Sequence, residues 1–269
     1  MSLPEGSYAD VGDGLRLHYH ALGSGPPVLF LHGSGPGASG FSNFHAPAAT
    51  IAEAGFTCVL ADTLGYGHSS KPDVDYGMEV VAGASMRLMN ALGHERFSVL
   101  GNSHGGAQAM WITLQVPERV DRLVLMAPGG LEERETYMEM RGIRSMLRCI
   151  YGPEGITLDG MMRVFQKQLY DPADIDPELV RARFELAMTQ STRTFRTLAV
   201  PNLADRLPEL RCPVLGLWGA NDLFCPPSGA LRLAQGCPDV RVVVYGRCGH
   251  WVMVERQEEF VRECLAFLG

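Results

Sequence analysis

Six short apolar runs constrain this chain more than any other feature. They are Val28–Leu31, Cys58–Ala61, Phe97–Leu100, Leu123–Met126, Val214–Leu217 and Val242–Tyr245. None alternates apolar with polar residues, which is the pattern of strands covered on both faces in a parallel sheet. The stretches between them have helical spacing, as in Val80, Val81, Ala84, Leu88 and Leu92, or Phe260, Val261, Cys264 and Phe267. Strands alternating with helices predict an α/β fold with a mostly parallel sheet and helices on both faces. Upstream, Tyr8–Val11 and Leu15–Ala21 flank Gly12-Asp13-Gly14 and predict a hairpin that adds antiparallel strands at one edge.

The alternation stops between Leu131 and Val200, a stretch holding six of the 13 methionines and no convincing strand. It reads as helices. Because the strand pattern resumes at Pro213, the stretch is an insertion in one domain: core over 1–130, helical cap over 131–200, core again over 201–269. A chain of 269 residues with 46% hydrophobic content has the material for such a core. Met138, Met146, Met161 and Phe165 are candidates for shaping a pocket under the cap.

Charge and cysteine usage exclude several classes of function. The formal charge is −7, without a basic run, so no nucleic-acid partner is expected. No apolar run reaches membrane-spanning length, and Met1-Ser2-Leu3-Pro4-Glu5 lacks the basic and apolar regions of a signal peptide. The seven cysteines (58, 149, 212, 225, 237, 248 and 264) form no C-x-x-C pair, which argues against a disulfide framework and a structural zinc. A reducing cytoplasm is the expected location.

Catalytic chemistry is signalled by Gly101-Asn102-Ser103-His104-Gly105, a G-x-S-x-G sequence set after one predicted strand and before a helical stretch. In that setting it predicts a strained turn that lifts the Ser103 hydroxyl above the sheet edge, with glycines where backbones must pack closely. Serine needs a base, and the base needs an orienting acid. Of eight histidines, six precede Ser103 and His104 adjoins it, leaving His250, just past the strand Val242–Tyr245. Asp222 follows the preceding strand. Neighbouring Asn221 has no charge, and Asp239 lies in a turn entering the next strand. Ser103, Asp222 and His250 are therefore the candidate triad.

An oxyanion needs two backbone N–H donors. One is the amide of His104; the other falls in His32-Gly33-Ser34-Gly35-Pro36-Gly37, best at Ser34, with Gly35 adjacent. That loop lacks both the G-K-[ST] ending of a phosphate loop and the G-x-G-x-x-G spacing of a dinucleotide site, so no cofactor and no metal are expected.

Four segments carry a family resemblance: His32–Ala38, Gly101-Asn102-Ser103, Val124–Gly130, and Gly246-Arg247-Cys248-Gly249-His250-Trp251. Together they resemble the meta-cleavage-product hydrolases, carbon–carbon bond hydrolases of bacterial aromatic degradation within the α/β-hydrolase superfamily. The likeness runs from about Pro27 to the C-terminus and includes the cap stretch Leu179–Ala187. It implies an eight-stranded α/β-hydrolase fold and hydrolysis of an anionic 2-hydroxy-6-oxo-dienoate. Asn43 and Asn102 match positions that hold the polar end of the dienoate, and Arg183 matches a cap arginine that pairs with its carboxylate. Trp251 matches a pocket aromatic beside the base, Gly35 falls in the substrate loop, and at least a dimer is implied. Arg181, Arg193 and Arg196 are rivals of Arg183, and His104 stands where the family often has an apolar residue. A carboxylesterase built on the same triad is the first alternative, and a non-catalytic receptor-like use of the fold is the second. Attack by Ser103 itself and attack by a water both remain open, as does the substituent on the ketone.

Overall fold

A computed structural model describes residues 6–269. The N-terminal pentapeptide, on which the signal-peptide reading rests, lies outside the described residues. The chain runs β1 (Ser7–Asp10), β2 (Arg16–Leu22), β3 (Pro27–Leu31), α1 (Gly40–Glu53), β4 (Thr57–Ala61), α2 (Met78–Ala91), β5 (Phe97–Asn102), α3 (His104–Gln115) and β6 (Val120–Met126). Five helices follow: α4 (Arg134–Glu139), α5 (Arg141–Tyr151), α6 (Leu158–Phe165), α7 (Pro177–Ala187) and α8 (Thr192–Thr197). Then come β7 (Val214–Gly219), α9 (Ser228–Gly236), β8 (Val240–Tyr245), α10 (Val252–Glu255) and α11 (Gln257–Leu268).

The eight strands form one sheet in the order β1-β2-β4-β3-β5-β6-β7-β8. β1 and β2 are the expected antiparallel edge, and every pairing from β4 to β8 is parallel. Successive residues of each central strand feed opposite faces. Leu29 and Leu31 pack toward α2, α3 and α9, whereas Val28 and Phe30 pack toward α1 and α11. That two-sided burial is why the central strands read as unbroken apolar runs.

Two expectations are corrected. Val242–Tyr245 is not buried on both faces: β8 is the sheet's last strand, with no neighbour beyond it, and Val244 is 49% exposed. In α2, Val80 points outward while Val81, Ala84 and Leu88 are buried. All seven cysteines are free and buried. Among the described residues, no helix is long and apolar enough to cross a membrane.

The order of the strands also locates a crevice. From β3 the chain crosses to β4 on one side, then returns to β5 on the other, so the loops leaving β3 and β5 diverge at the carboxyl edge of the sheet. Ligands bind at such a switch point in open α/β sheets.

Candidate active site

Ser103 sits in the turn between β5 and α3 with φ +56° and ψ −120°, a strained backbone for a residue with a side chain. The flanking glycines permit it. A Cβ on Gly101 would collide with the backbone of Gly105, and one on Gly105 would collide with the carbonyl of Leu31. Because Leu31 pairs with Gly101 across β3 and β5, the β3 loop is brought beside the elbow.

That loop is pinned by the side chain of His32, its first residue. Its Nδ1–H donates to Gly33 O at 2.7 Å and its Nε2 accepts from the Thr63 amide at 3.0 Å. Burial pushes its pKa down to about 4, so the ring stays neutral. Ser34 and Gly35 follow it and line a small cavity with Ser103. The His104 N–H is the first amide of α3, one of the helix-starting donors with no carbonyl four residues back.

Asp222 and His250 come together from the ends of β7 and β8. Asp222 Oδ2 lies 2.7 Å from His250 Nδ1, and its Oδ1 accepts from the amides of Phe224 at 2.7 Å and Cys225 at 3.0 Å. Every oxygen of the buried carboxylate is thus occupied. The imidazole is held from two further directions. The Phe224 ring stacks on it at 5.1 Å, and the His250 amide donates to Gln168 O at 2.7 Å. Phe224 and Gln168 leave no signature in sequence, because one acts by ring packing and the other through a backbone carbonyl. Cys225 contributes a thiol within hydrogen-bonding reach of Ser103; burial, and then the Asp222 charge, raise it far above the usual range.

His250 and Ser103 share the small cavity with Asn43, Asn102, Arg183 and Trp251. A polar chain climbs through it from β5 by way of α1 to α7. Asn102 Nδ2 donates to Met126 O at 3.1 Å, Asn43 Nδ2 donates to Asn102 Oδ1 at 3.4 Å, and Arg183 Nη1 donates to Asn43 Oδ1 at 3.1 Å. Arg183 is 3% exposed, has no carboxylate partner among the described residues, and leaves Nε unpaired. Its guanidinium lies over the rings of Phe165 and Trp251, 5.0 and 5.5 Å from their centres, and burial lowers its pKa to about 9. The rival arginines stand elsewhere. Arg181 lies beside Glu178, Arg193 pairs with Asp73 and Asp75, and Arg196 is exposed at the rim of a second cavity.

That second cavity, of about 620 Å³, opens on the other side of Ser103 and His104. Met138, Ile143, Met146, Ile150, Leu198 and Val200 are among its apolar walls. Of the pocket candidates named from sequence, Met138 and Met146 line it. Met161 and Phe165 turn into the packed interior instead, where Phe165 meets Trp251 edge-on at 5.3 Å.

Comparison with known proteins agrees with this geometry. Residues 26–145 match the family model described as alpha/beta hydrolase fold, and the eight-stranded chain as a whole has that fold. The 2-hydroxy-6-oxo-6-phenylhexa-2,4-dienoate hydrolase of Comamonas testosteroni is 35% identical, over 97% of this chain and 94% of that protein. A 2-hydroxy-6-oxononadienedioate/2-hydroxy-6-oxononatrienedioate hydrolase of the same organism is also 35% identical, over 94% and 91%. Among solved structures, a meta-cleavage product hydrolase from Pseudomonas fluorescens IP01 superposes with a TM-score of 0.85 at 27% identity, covering 98% of this chain and 97% of that one. This chain belongs to the family of 2-hydroxy-6-oxo-dienoate, or meta-cleavage product, hydrolases, enzymes that act on a carbon–carbon bond.

Proposed function

We propose that this protein hydrolyses the carbon–carbon bond of an anionic 2-hydroxy-6-oxo-hexa-2,4-dienoate, a ring-fission product of aromatic degradation. The observation that carries the reading is Arg183, a buried guanidinium without a counter-ion that shares a cavity with Ser103 and His250. An unpaired buried cation is costly, and a substrate carboxylate supplies the missing charge in the planar, two-pronged geometry that guanidinium prefers.

In this reading Ser103, Asp222 and His250 are the catalytic triad, and the amides of Ser34 and His104 form the oxyanion hole. Arg183 holds the carboxylate, Asn43 and Asn102 hold the 2-oxygen, and Gly35 and Trp251 complete the dienoate site. His250 first relays a proton from the 2-hydroxyl toward the diene carbon chain, giving the keto form. That ketone, conjugated through a carbon–carbon double bond to the carbon beside the breaking bond, is an electron sink for its electron pair. Ser103, or a water activated by His250, then adds to the distal ketone carbon. Its oxygen becomes an oxyanion held by the two amides. When the oxyanion collapses, the carbon–carbon electron pair flows into the sink and is protonated from His250. The products are a 2-hydroxy-dienoic acid and a carboxylic acid, directly or after hydrolysis of an acyl-Ser103. The cavity of about 620 Å³ takes the ketone substituent, alkyl or aryl.

The same reading takes residues 1–130 and 201–269 as the hydrolase core and 131–200 as the cap, in a cytoplasmic enzyme that is at least a homodimer and binds no nucleic acid. Mixing the protein with a coloured dienoate, and separately with a nitrophenyl ester, tests it. Rapid bleaching of the dienoate supports the proposal. Fast ester turnover with an unchanged dienoate spectrum establishes the carboxylesterase instead. Failure of both, with small-molecule binding intact in Ser103→Ala, favours a receptor.

A further inference from the structure

A concentration of cationic side chains lies outside the active site. A cavity of about 530 Å³ opens between α5 and α6, lined by Arg141, Arg144 and Arg148 of α5, Arg163 of α6 and Lys167 just beyond it. Glu154 is the one carboxylate among its described lining residues. The ion pairs that arginines make with carboxylates among the described residues belong to Arg96, Arg181, Arg193, Arg206, Arg232 and Arg241, none of which lines this groove. Arg144 Nε and Lys167 Nζ are occupied by backbone carbonyls, of Met138 and Arg163, both at 3.1 Å, which orients them without neutralising them. Five cations thus face one space in a chain whose formal charge is −7.

The sequence builds this arrangement through one amphipathic helix. Arg141, Arg144 and Arg148 recur at the three- and four-residue spacing of a single helical face. Ile143, Met146 and Ile150 occupy the opposite face and line the catalytic cavity. α5 is therefore a wall between two separate spaces, and the arginines are not part of the dienoate site. The charges are not buried: Arg141, Arg144, Arg148 and Arg163 are exposed. Like charges converging on a concave surface repel one another, and they raise the local concentration of anions.

We infer that the α5–α6 groove is a binding site for a compact polyanion of the di- or triphosphate type. Guanidinium groups match phosphate oxygens in a bidentate fork, and the lysine adds a point charge. A single carboxylate leaves most of the five cations unmatched, whereas a triphosphate chain meets several at once. This site goes beyond the hydrolase reading and does not depend on it.

Isothermal titration of the full chain with inorganic tripolyphosphate, at neutral pH and low ionic strength, tests the assignment. One saturable site per chain is expected, with affinity falling as salt rises. Arg144→Glu and Arg148→Glu should each weaken binding by at least about tenfold, through the loss of one charge-assisted contact and its replacement by a carboxylate that repels the anion. Arg181→Glu makes the same change of net charge on α7, outside the groove, and should leave the affinity unaltered. Absence of saturable binding overturns the proposal. So does equal weakening by Arg181→Glu, which would reveal a diffuse charge effect, or acetate competing as well as tripolyphosphate.

Discussion

Arg183 donates from Nη1 to Asn43 Oδ1 at 3.1 Å, and this amide oxygen, not a carboxylate, is what the buried guanidinium meets. A neutral acceptor orients the cation but leaves its charge uncompensated, an unfavourable arrangement that the proposed substrate carboxylate would relieve. Arg183→Met removes that group while keeping an unbranched apolar chain over Phe165 and Trp251. The variant should unfold at higher urea concentration, by about 1–2 kcal/mol, while its KM for the dienoate rises by about 100-fold. An uncharged ester should be turned over almost as before. Lower stability together with equal losses on both substrates would remove Arg183 from the carboxylate role.

Asp222 has two duties that one substitution separates. Oδ2 faces His250 Nδ1, while Oδ1 caps the amides of Phe224 and Cys225. Asp222→Asn keeps an oxygen for the two amides but turns an N–H toward the ring, which forces the wrong imidazole tautomer. The expected outcome is a fall in kcat of about 10³–10⁴ with thermal stability close to wild type. Asp222→Ala should lose both. If Asp222→Asn retained more than a tenth of wild-type kcat, His250 would have no need of this carboxylate.

The proposed triad can be picked out of the sequence because each member occupies a position that strand pattern alone defines: Ser103 between a strand and a helix, Asp222 and His250 past the ends of the next strands but one and two. Chain order then reduced eight histidines to one. Apolar runs could not distinguish a central strand from an edge strand, since Val242–Val244 of β8 is as unbroken an apolar run as Val28–Leu31 of β3 but β8 has no neighbour on its outer side. Contacts made through the backbone or through packing were not legible either. His32 works by fixing Gly33 O and the Thr63 amide, Gln168 by a carbonyl, and Phe224 by stacking on a ring 26 positions away in sequence. Arg183 was singled out by family resemblance alone; its spacing within α7 does not mark it apart from Arg181.

The elbow glycines make a steric prediction. In Gly105→Ala the new Cβ falls on the Leu31 carbonyl, and both atoms belong to backbones fixed in the centre of the molecule. Neither can yield without separating α3 from β3. Destabilisation by more than about 3 kcal/mol is expected from such overpacking, read as a lowered urea midpoint or loss of soluble protein. At Gly83, by contrast, a Cβ would meet only the Arg87 side chain, at 3.7 Å. Gly83→Ala, inside α2, should raise stability by about 0.5–1 kcal/mol. Similar midpoints for the two variants would contradict the close approach at the elbow.

His104 links acid stability to the interior. Gln108 Nε2 donates to its Nδ1 at 3.2 Å, so the ring proton sits on Nε2, which has no partner. Burial, reinforced by the nearby His32, lowers its pKa from 6.5 to about 3, and burial lowers that of His32 from 6.5 to about 4. Both histidines fold as neutral rings. In the unfolded chain they take up protons below about pH 6.5, while the folded chain does not until pH 4 or lower. Stability is therefore fully present above about 6.5 and is lost as pH falls toward 4 and then 3. For His32 alone, the interval from 6.5 to about 4 corresponds to about 3–4 kcal/mol at 1.4 kcal/mol per unit. Urea unfolding at pH 7.0 and 4.5 should show this decline, and His104→Leu should flatten it while leaving an apolar group in the same space. An unchanged pH slope in His104→Leu would mean that His104 takes up its proton equally in the folded and unfolded chains.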